Sequence, residues 1–253
     1  MKSDKIKKSL LVFSGKGGVG KSTVAVNLAI ALAKKGLKVG LLDADIHGPN
    51  LALMLGAEDK AVFPYGQDQI LPVEINKNLS LVSMAYFIPQ SDTPVIWRGP
   101  AKAKIIERFV KDVTWGNLDW LIIDSPPGTG DEPLAIAQLL PKAGAIIVTT
   151  PQNVSLLDST KAINFAKKLK LKIYGLIENM SGLNCPHCDK LIPLFKGGGG
   201  VKVAKQYKIP FLGSIPIDPE IVIFGDNGNS LKIDNNSKIT KIFLAIADKI
   251  SKK

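Results

Sequence analysis

Ten residues near the start of the chain, Ser14-Gly15-Lys16-Gly17-Gly18-Val19-Gly20-Lys21-Ser22-Thr23, have the types and spacing of a phosphate cradle. In the pattern Gly15-x-x-x-x-Gly20-Lys21-Ser22, backbone N–H groups wrap a polyphosphate, a lysine reaches its β and γ oxygens, and a hydroxyl ligates Mg2+. Such a loop has to join a strand to a helix. The apolar run 9–13 ahead of it reads as a buried strand, and Val24, Leu28, Ala31 and Leu32 behind it recur at helical spacing. The N-terminus of that helix adds its own attraction for anions. Lys16 is surplus to this chemistry. It is either a solvated cation or a group aimed away from the phosphate of its own loop.

Two later strands end in carboxylates. Residues 38–42 lead to Asp43 and Asp45, and residues 118–123 lead to Asp124. In open α/β sheets, ligands sit in the crevice outside the carboxyl ends of the strands. Asp124 therefore reads as the Walker B carboxylate of a Mg2+ shell. One of Asp43 and Asp45 is expected near the same ion, the plainer alternative being an acidic turn. The segment Ser125-Pro126-Pro127-Gly128-Thr129-Gly130-Asp131 is stiff and then permissive, as a switch loop must be. There Gly128 can offer its N–H to a γ-phosphate and release it on hydrolysis.

The two cysteines, Cys185 and Cys188, form a single C-x-x-C. A redox pair wants its first thiol at a helix N-terminus, and Asp189-Lys190-Leu191-Ile192-Pro193 gives little helix. Ordinary thiols in a turn are a second reading. A metal is the third, but two thiolates do not complete a tetrahedral site. Two from each of two copies do, and such a set of four thiolates suits an iron–sulfur cluster or zinc.

These residues need a scaffold, and the rest of the chain supplies one. Its 253 residues contain no linker-like stretch, so residues 1–253 are expected to form a single domain with the C-x-x-C loop at about 181–200. Short Ile, Leu, Val and Ala runs alternating with helical segments predict an α/β fold, a doubly wound, mostly parallel sheet with helices on both faces. The predicted elements include strands at 69–75, 79–84 and 172–177, a helix over 101–113, and another capped by Ser155. A C-terminal stripe of Ile239, Ile242, Phe243, Ile246 and Ile250 fits a core-docked helix or, with lysines opposite, one lying on a membrane. No apolar run approaches the ~18 residues of a membrane span, and the basic start is followed by too short an apolar run for a secretion signal, so a cytoplasmic protein is expected. The net charge of +11 attracts polyanions without choosing among them and is read mainly as solvation.

The string G-K-G-G-V-G-K-S-T resembles the deviant Walker A motif of a superfamily that includes the MinD septum-site ATPases, the ParA plasmid-partition ATPases, nitrogenase iron protein and the Mrp/Nbp35 iron–sulfur carriers. D-S-P-P-G-T-G-D from Asp124, and N-M-S-x-x-x-C-P-x-C from Asn179 ahead of Phe195-x-Gly-Gly-Gly, resemble the Mrp/Nbp35 carriers in particular, as does Arg98-Gly99-Pro100. The chain departs from them at Asp189 and Lys196, where glycine is usual.

The resemblance implies a homodimer with ATP and Mg2+ as cofactors. In it Gly15, Lys16, Gly17, Gly18, Val19, Gly20, Lys21, Ser22 and Thr23 surround the nucleotide, and Lys16 crosses to the partner's γ-phosphate. Ser22, Asp45 and Asp124 would attend Mg2+, with Asp45 positioning or activating water beside Lys16 and Lys21, and Asp43 supporting the loop. Asn179 would read the base with help from Pro216, Ile217 and Asp218. Cys185 and Cys188 would share a labile [4Fe-4S] cluster, or zinc in its place, across the dimer. The implied activity is a slow Mg-dependent ATPase coupled to cluster delivery to apo iron–sulfur proteins, without stable nucleic-acid or membrane binding. The alternative is a MinD/ParA-like positioning ATPase acting on membrane or DNA.

Overall fold

Strands made almost wholly of Ile, Leu, Val and Ala have no face to offer water, and the chain buries them between two layers of helices. In the computed structural model the described residues are 6–60, 64–65, 69–87, 99–185, 187–188, 190–195, 197–232, 234 and 236–252, so Arg98, Pro186, Asp189 and Lys196 lie outside them. The strands are β1 (Ile6–Ser14), β2 (Val39–Asp43), β3 (Pro64–Tyr65), β4 (Gln69–Ile70), β5 (Val73–Asn76), β6 (Leu79–Ser83), β7 (Leu118–Asp124), β8 (Gly144–Thr149), β9 (Lys172–Asn184), β10 (Leu191–Ile192) and β11 (Phe211–Ile217). The helices are α1 (Lys21–Lys34), α2 (Leu51–Met54), α3 (Gly99–Lys111), α4 (Asp131–Leu139), α5 (Asn153–Lys168), α6 (Gly199–Tyr207), α7 (Pro219–Asp226) and α8 (Lys238–Ser251).

The main sheet runs β5-β6-β2-β7-β1-β8-β9, with β10 and β11 both paired to β9. All its pairings are parallel except β5 with β6 and β10 with β9. Side chains alternate along β1. Leu10 and Val12 join Leu28, Leu32, Phe243 and Ile246 in one layer, while Leu11 and Phe13 join Phe109, Ile136 and Ile163 in the other. The sheet is doubly wound, as expected.

Several boundaries differ from the sequence reading. The stretch expected as one strand at 69–75 splits at Leu71-Pro72, so that β4 pairs with β3 while β5 pairs with β6; proline cannot donate to a continuing ladder. The helix expected from residue 101 begins at Gly99 and ends at Lys111, and Val113 instead bridges to Ile70. Ser155 does not cap α5. It is buried inside the helix, where its hydroxyl accepts from Thr150 Oγ1 at 2.7 Å, and Gln152 is the N-cap. The largest difference is β9, which passes Ile177 and continues to Asn184.

The C-terminal stripe is core. Ile239, Phe243, Ile246 and Ile250 of α8 are buried, and Ser237 caps the helix by accepting from Thr240 N. An ion pair from Lys35, at the end of α1, to Asp248 of α8 brings these helix ends together on the face away from the P-loop. Helices α1, α3, α5, α6 and α8 all carry lysine in the last turn, where a cation complements the helix dipole.

Candidate functional site

β1 ends between β7 and β8, where the winding of the sheet reverses, and the P-loop leaves its tip there. Ser14 Oγ donates to the Lys16 carbonyl at 2.9 Å and tightens the start of the loop. Gly20 closes it with φ 79° and a left-handed backbone that admits glycine readily. A Cβ on Gly20 would lie 2.2 Å from Asn179 Nδ2, so the amide is pressed against the loop. That nitrogen donates to the Val19 carbonyl at 2.9 Å, which commits one of its two hydrogens to the loop rather than to a ligand.

Lys21 opens α1 and is buried, with its Nζ 2.7 Å from Asp124 Oδ1 at the tip of β7. Asp124 is fully buried. Burial pushes its carboxyl upward, and the Lys21 charge and the Ser22 hydroxyl pull it back down. Its Oδ2 and the neighbouring Ser125 Oγ are buried without a hydrogen-bond partner among the described residues. A buried carboxylate oxygen with no donor is costly unless a cation meets it. The nearby oxygens, the Ser22 hydroxyl and the Asp45 carboxylate whose charge also acts on Asp124, belong to the donor set of a hard divalent cation. These residues fit Mg2+.

The two carboxylates after β2 differ in their surroundings. Asp43 pairs in register with Asp124 on the adjacent strand and is fully buried. It accepts from Ser83 Oγ at 2.9 Å, Leu51 N at 3.2 Å and Asp45 N at 3.3 Å, tying the loop and α2 to the sheet. Burial, reinforced by the Asp124 charge, pushes its pKa up to about 7. Asp45 is half-buried and turns its Oδ1 to the N–H groups of His47 and Gly48. His47 Nε2 stands 3.8 Å from Glu132 Oε1, so the loop after β2 approaches the first turn of α4. The Gly128 N–H, which the sequence offers to a γ-phosphate, is donated here to the Ser14 carbonyl at 3.0 Å.

Beside the loop lies a cleft of about 380 Å³ lined by Thr23, Asn179, Pro216, Ile217 and Asp218, all expected around a nucleotide, and also by Asn50, Met180, Ile221 and Val222. The latter four were missed. Met180 belongs to β9, Asn50 precedes α2, and Ile221 and Val222 belong to α7; only the tertiary fold brings these elements to α1. Glu178 was missed as well; it is buried and accepts from Gly200 N at 2.6 Å, joining β9 to the start of α6. The signal was a carboxylate inside an apolar strand with a run of glycine N–H groups downstream.

β9 carries Asn179 and, one residue past its end, Cys185. The Cys185 N–H donates to the Lys190 carbonyl at 2.9 Å, closing a hairpin with β10 whose tip holds Cys188. Cys185 is half-buried and Cys188 exposed. Among the described residues no group of three or more His, Cys, Asp or Glu side chains converges as a metal site.

A family model described as ParA, NUBPL iron-transfer P-loop NTPase, matches residues 5–251. The chain belongs to this family. Among curated iron-transfer relatives, it is 48% identical over 253 residues to an iron-sulfur cluster carrier protein of Methanocaldococcus jannaschii, covering 98% of this chain and 87% of that one. It is 44% identical over 259 residues to the cytosolic Fe-S cluster assembly factor CFD1 of Saccharomyces cerevisiae, covering 98% and 88%. Among solved structures, this iron-transfer NTPase is similar to a nucleotide-binding protein from Archaeoglobus fulgidus in complex with ADP, with a TM-score of 0.81 and 38% identity over 92% of this chain and 90% of that one. The cell division ATPase MinD of Pyrococcus furiosus is a more distant likeness, with a TM-score of 0.68 and 26% identity over 97% and 99%.

Proposed function

We propose that this P-loop NTPase is an ATP-hydrolysing iron–sulfur cluster carrier that works in the cytoplasm as a homodimer and delivers its cluster to apo iron–sulfur proteins. The observation that carries the reading is the single strand β9, which leads from an amide against the P-loop to a C-x-x-C hairpin six residues on.

The backbone of residues 15–20 wraps the phosphates, and Lys21 swings from Asp124 to their oxygens. Ser22, Asp45 and Asp124 would hold Mg2+, which when bound would neutralise phosphate charge. Asp45 positions the attacking water while Asp43, already satisfied by three donors, holds the loop. Asn179 presents its remaining amide groups to the base in the cleft. Lys16, half-buried on the loop, reaches the partner's γ-phosphate. Hydrolysis is slow, and Gly128, whose N–H is donated to the Ser14 carbonyl, meets a phosphate only after leaving that bond.

The cluster is cargo, and a single copy supplies two thiolates of the four a [4Fe-4S] cluster requires. Leu191 (56% exposed) and Leu194 in and just after β10, Val154 (65%) and Leu157 (62%) in the first turns of α5, and Val201 near the start of α6 present apolar side chains to solvent. A second copy covering them would bring its own pair of cysteines to complete the set. The exposed Cys188 suits exchange of the cargo. A positioning ATPase leaves the cysteine pair without a role, and its membrane helix would have to be α8, whose apolar stripe is buried.

Anaerobic reconstitution with iron and sulfide tests the reading. The wild-type chain should turn brown, hold about four irons per two chains and sediment as a dimer, whereas Cys185→Ser and Cys188→Ser should stay colourless. Full iron retention in both variants would overturn it.

A further inference from the structure

β9 and β11 do not advance together. Ile215 pairs with Asn179 and Ile217 with Leu183, so β9 places two more residues than β11 between these points. The swelling contains Met180, with φ 55°, and Gly182, with φ 142°. A non-glycine residue in the left-handed region costs free energy and persists only where its surroundings over-determine it.

Here both sides do so. Upstream, Asn179 is tied to the Val19 carbonyl of the P-loop, and Glu178 is tied to Gly200 N. Downstream, a Cβ on Gly182 would lie 2.9 Å from Leu191 Cδ1 and 3.0 Å from the Ile192 carbonyl, so β10 is seated flush on the strand. The same hairpin is closed by the Cys185–Lys190 bond. The strained residue thus sits between the contact that ties β9 to the P-loop and the hairpin that carries both cysteines.

We infer that this swelling of β9 links the two sites, and that Met180 is a positioning residue whose left-handed backbone sets how nucleotide occupancy alters metal affinity at the cysteines. The inference rests on the carrier reading only in taking Cys185 and Cys188 as metal ligands. Phosphate in the loop shifts the Val19 carbonyl, Asn179 follows, and the strain at Met180 is relieved or increased. The hairpin then closes on metal at a different cost. Linkage is reciprocal, so metal must change nucleotide affinity by the same factor.

The test uses the full chain, Co2+ alone as the metal probe and ADP with excess Mg2+. Thiolate-to-cobalt absorbance reports the cysteine site, and a Cys185→Ser chain reports any Co2+ bound elsewhere. In the wild type, Co2+ loading should change the ADP dissociation constant by at least about fivefold, and ADP should change Co2+ affinity equally. Met180→Gly, which enters the left-handed region without penalty, should reduce that factor to below about twofold. Met180→Leu keeps a Cβ and the bulk that lines the cleft, and should retain it. Cobalt absorbance with no linkage in the wild type would overturn the inference and leave the carrier reading standing. So would equal loss of linkage in both Met180 variants, which would assign the effect to the side chain. Absence of any cysteine-dependent cobalt signal would overturn both.

Discussion

Lys21 and Asp124 are each other's counter-ion: the ammonium lies 2.7 Å from the carboxylate, with Lys21 6% exposed and Asp124 fully buried. In this arrangement the lysine suited to a phosphate is bonded to the carboxylate suited to Mg2+. Either ligand arriving alone would strand a buried charge, which costs about 3–5 kcal/mol when one partner of a buried pair is lost.

ADP and Mg2+ should therefore help each other bind. Chelating Mg2+ is expected to weaken ADP binding to the wild-type protein by at least about tenfold. In Asp124→Asn the lysine has no charge to abandon, and the effect of chelation should shrink to about twofold or less. Calorimetric titration of both chains with and without chelator checks this. Equal sensitivity in the two would show that the ion pair does not couple the ligands.

Asp43 titrates at about 7 in the folded chain against 3.8 for the ordinary carboxyl, so the folded state holds its proton more tightly. The stability this contributes is complete below about pH 4 and is lost as pH rises through about 7, a difference of at most about 4 kcal/mol. Asp43→Asn cannot titrate. Its unfolding free energy relative to wild type, measured by denaturant without nucleotide, should improve between pH 5 and pH 7.5. A constant difference across that range would mean that Asp43 is ionised throughout.

Gly15 and Gly17 make a matched pair. A Cβ on Gly15 would lie 2.1 Å from the backbone carbonyl of Asp158 on α5, whereas one on Gly17 would meet nothing within 4 Å. Gly15→Ala should cost about 1–3 kcal/mol of stability as the loop is forced off α5. Gly17→Ala should stay within about 0.5 kcal/mol. Equal costs in denaturant titrations of the nucleotide-free chains would remove α5 as the wall behind the loop.

The phosphate cradle and the two strand-tip carboxylates were legible because their chemistry is local: a fixed spacing, an apolar run, a polar end. What set Asp43 apart from Asp45 was not local. Asp43 is buried in the sheet between β7 and β6, and Ser83 of β6 and Leu51 of α2 donate to it. The length of β9 was hidden for the same reason. Glu178-Asn179-Met180-Ser181-Gly182 shows no alternation, and the strand survives there because β11 on one side and β10 on the other hold it, at the expense of a left-handed Met180. Ser155 looked like a helix cap because serine usually is one. The hydroxyl of Thr150 gave it a buried role instead.

The lysines that finish α1, α3, α5, α6 and α8 give the molecule an underside. These cations stand at the amino ends of the strands, apart from the crevice at the carboxyl ends, so the side that offers an anion bare charge is not the side that offers it a shaped cradle.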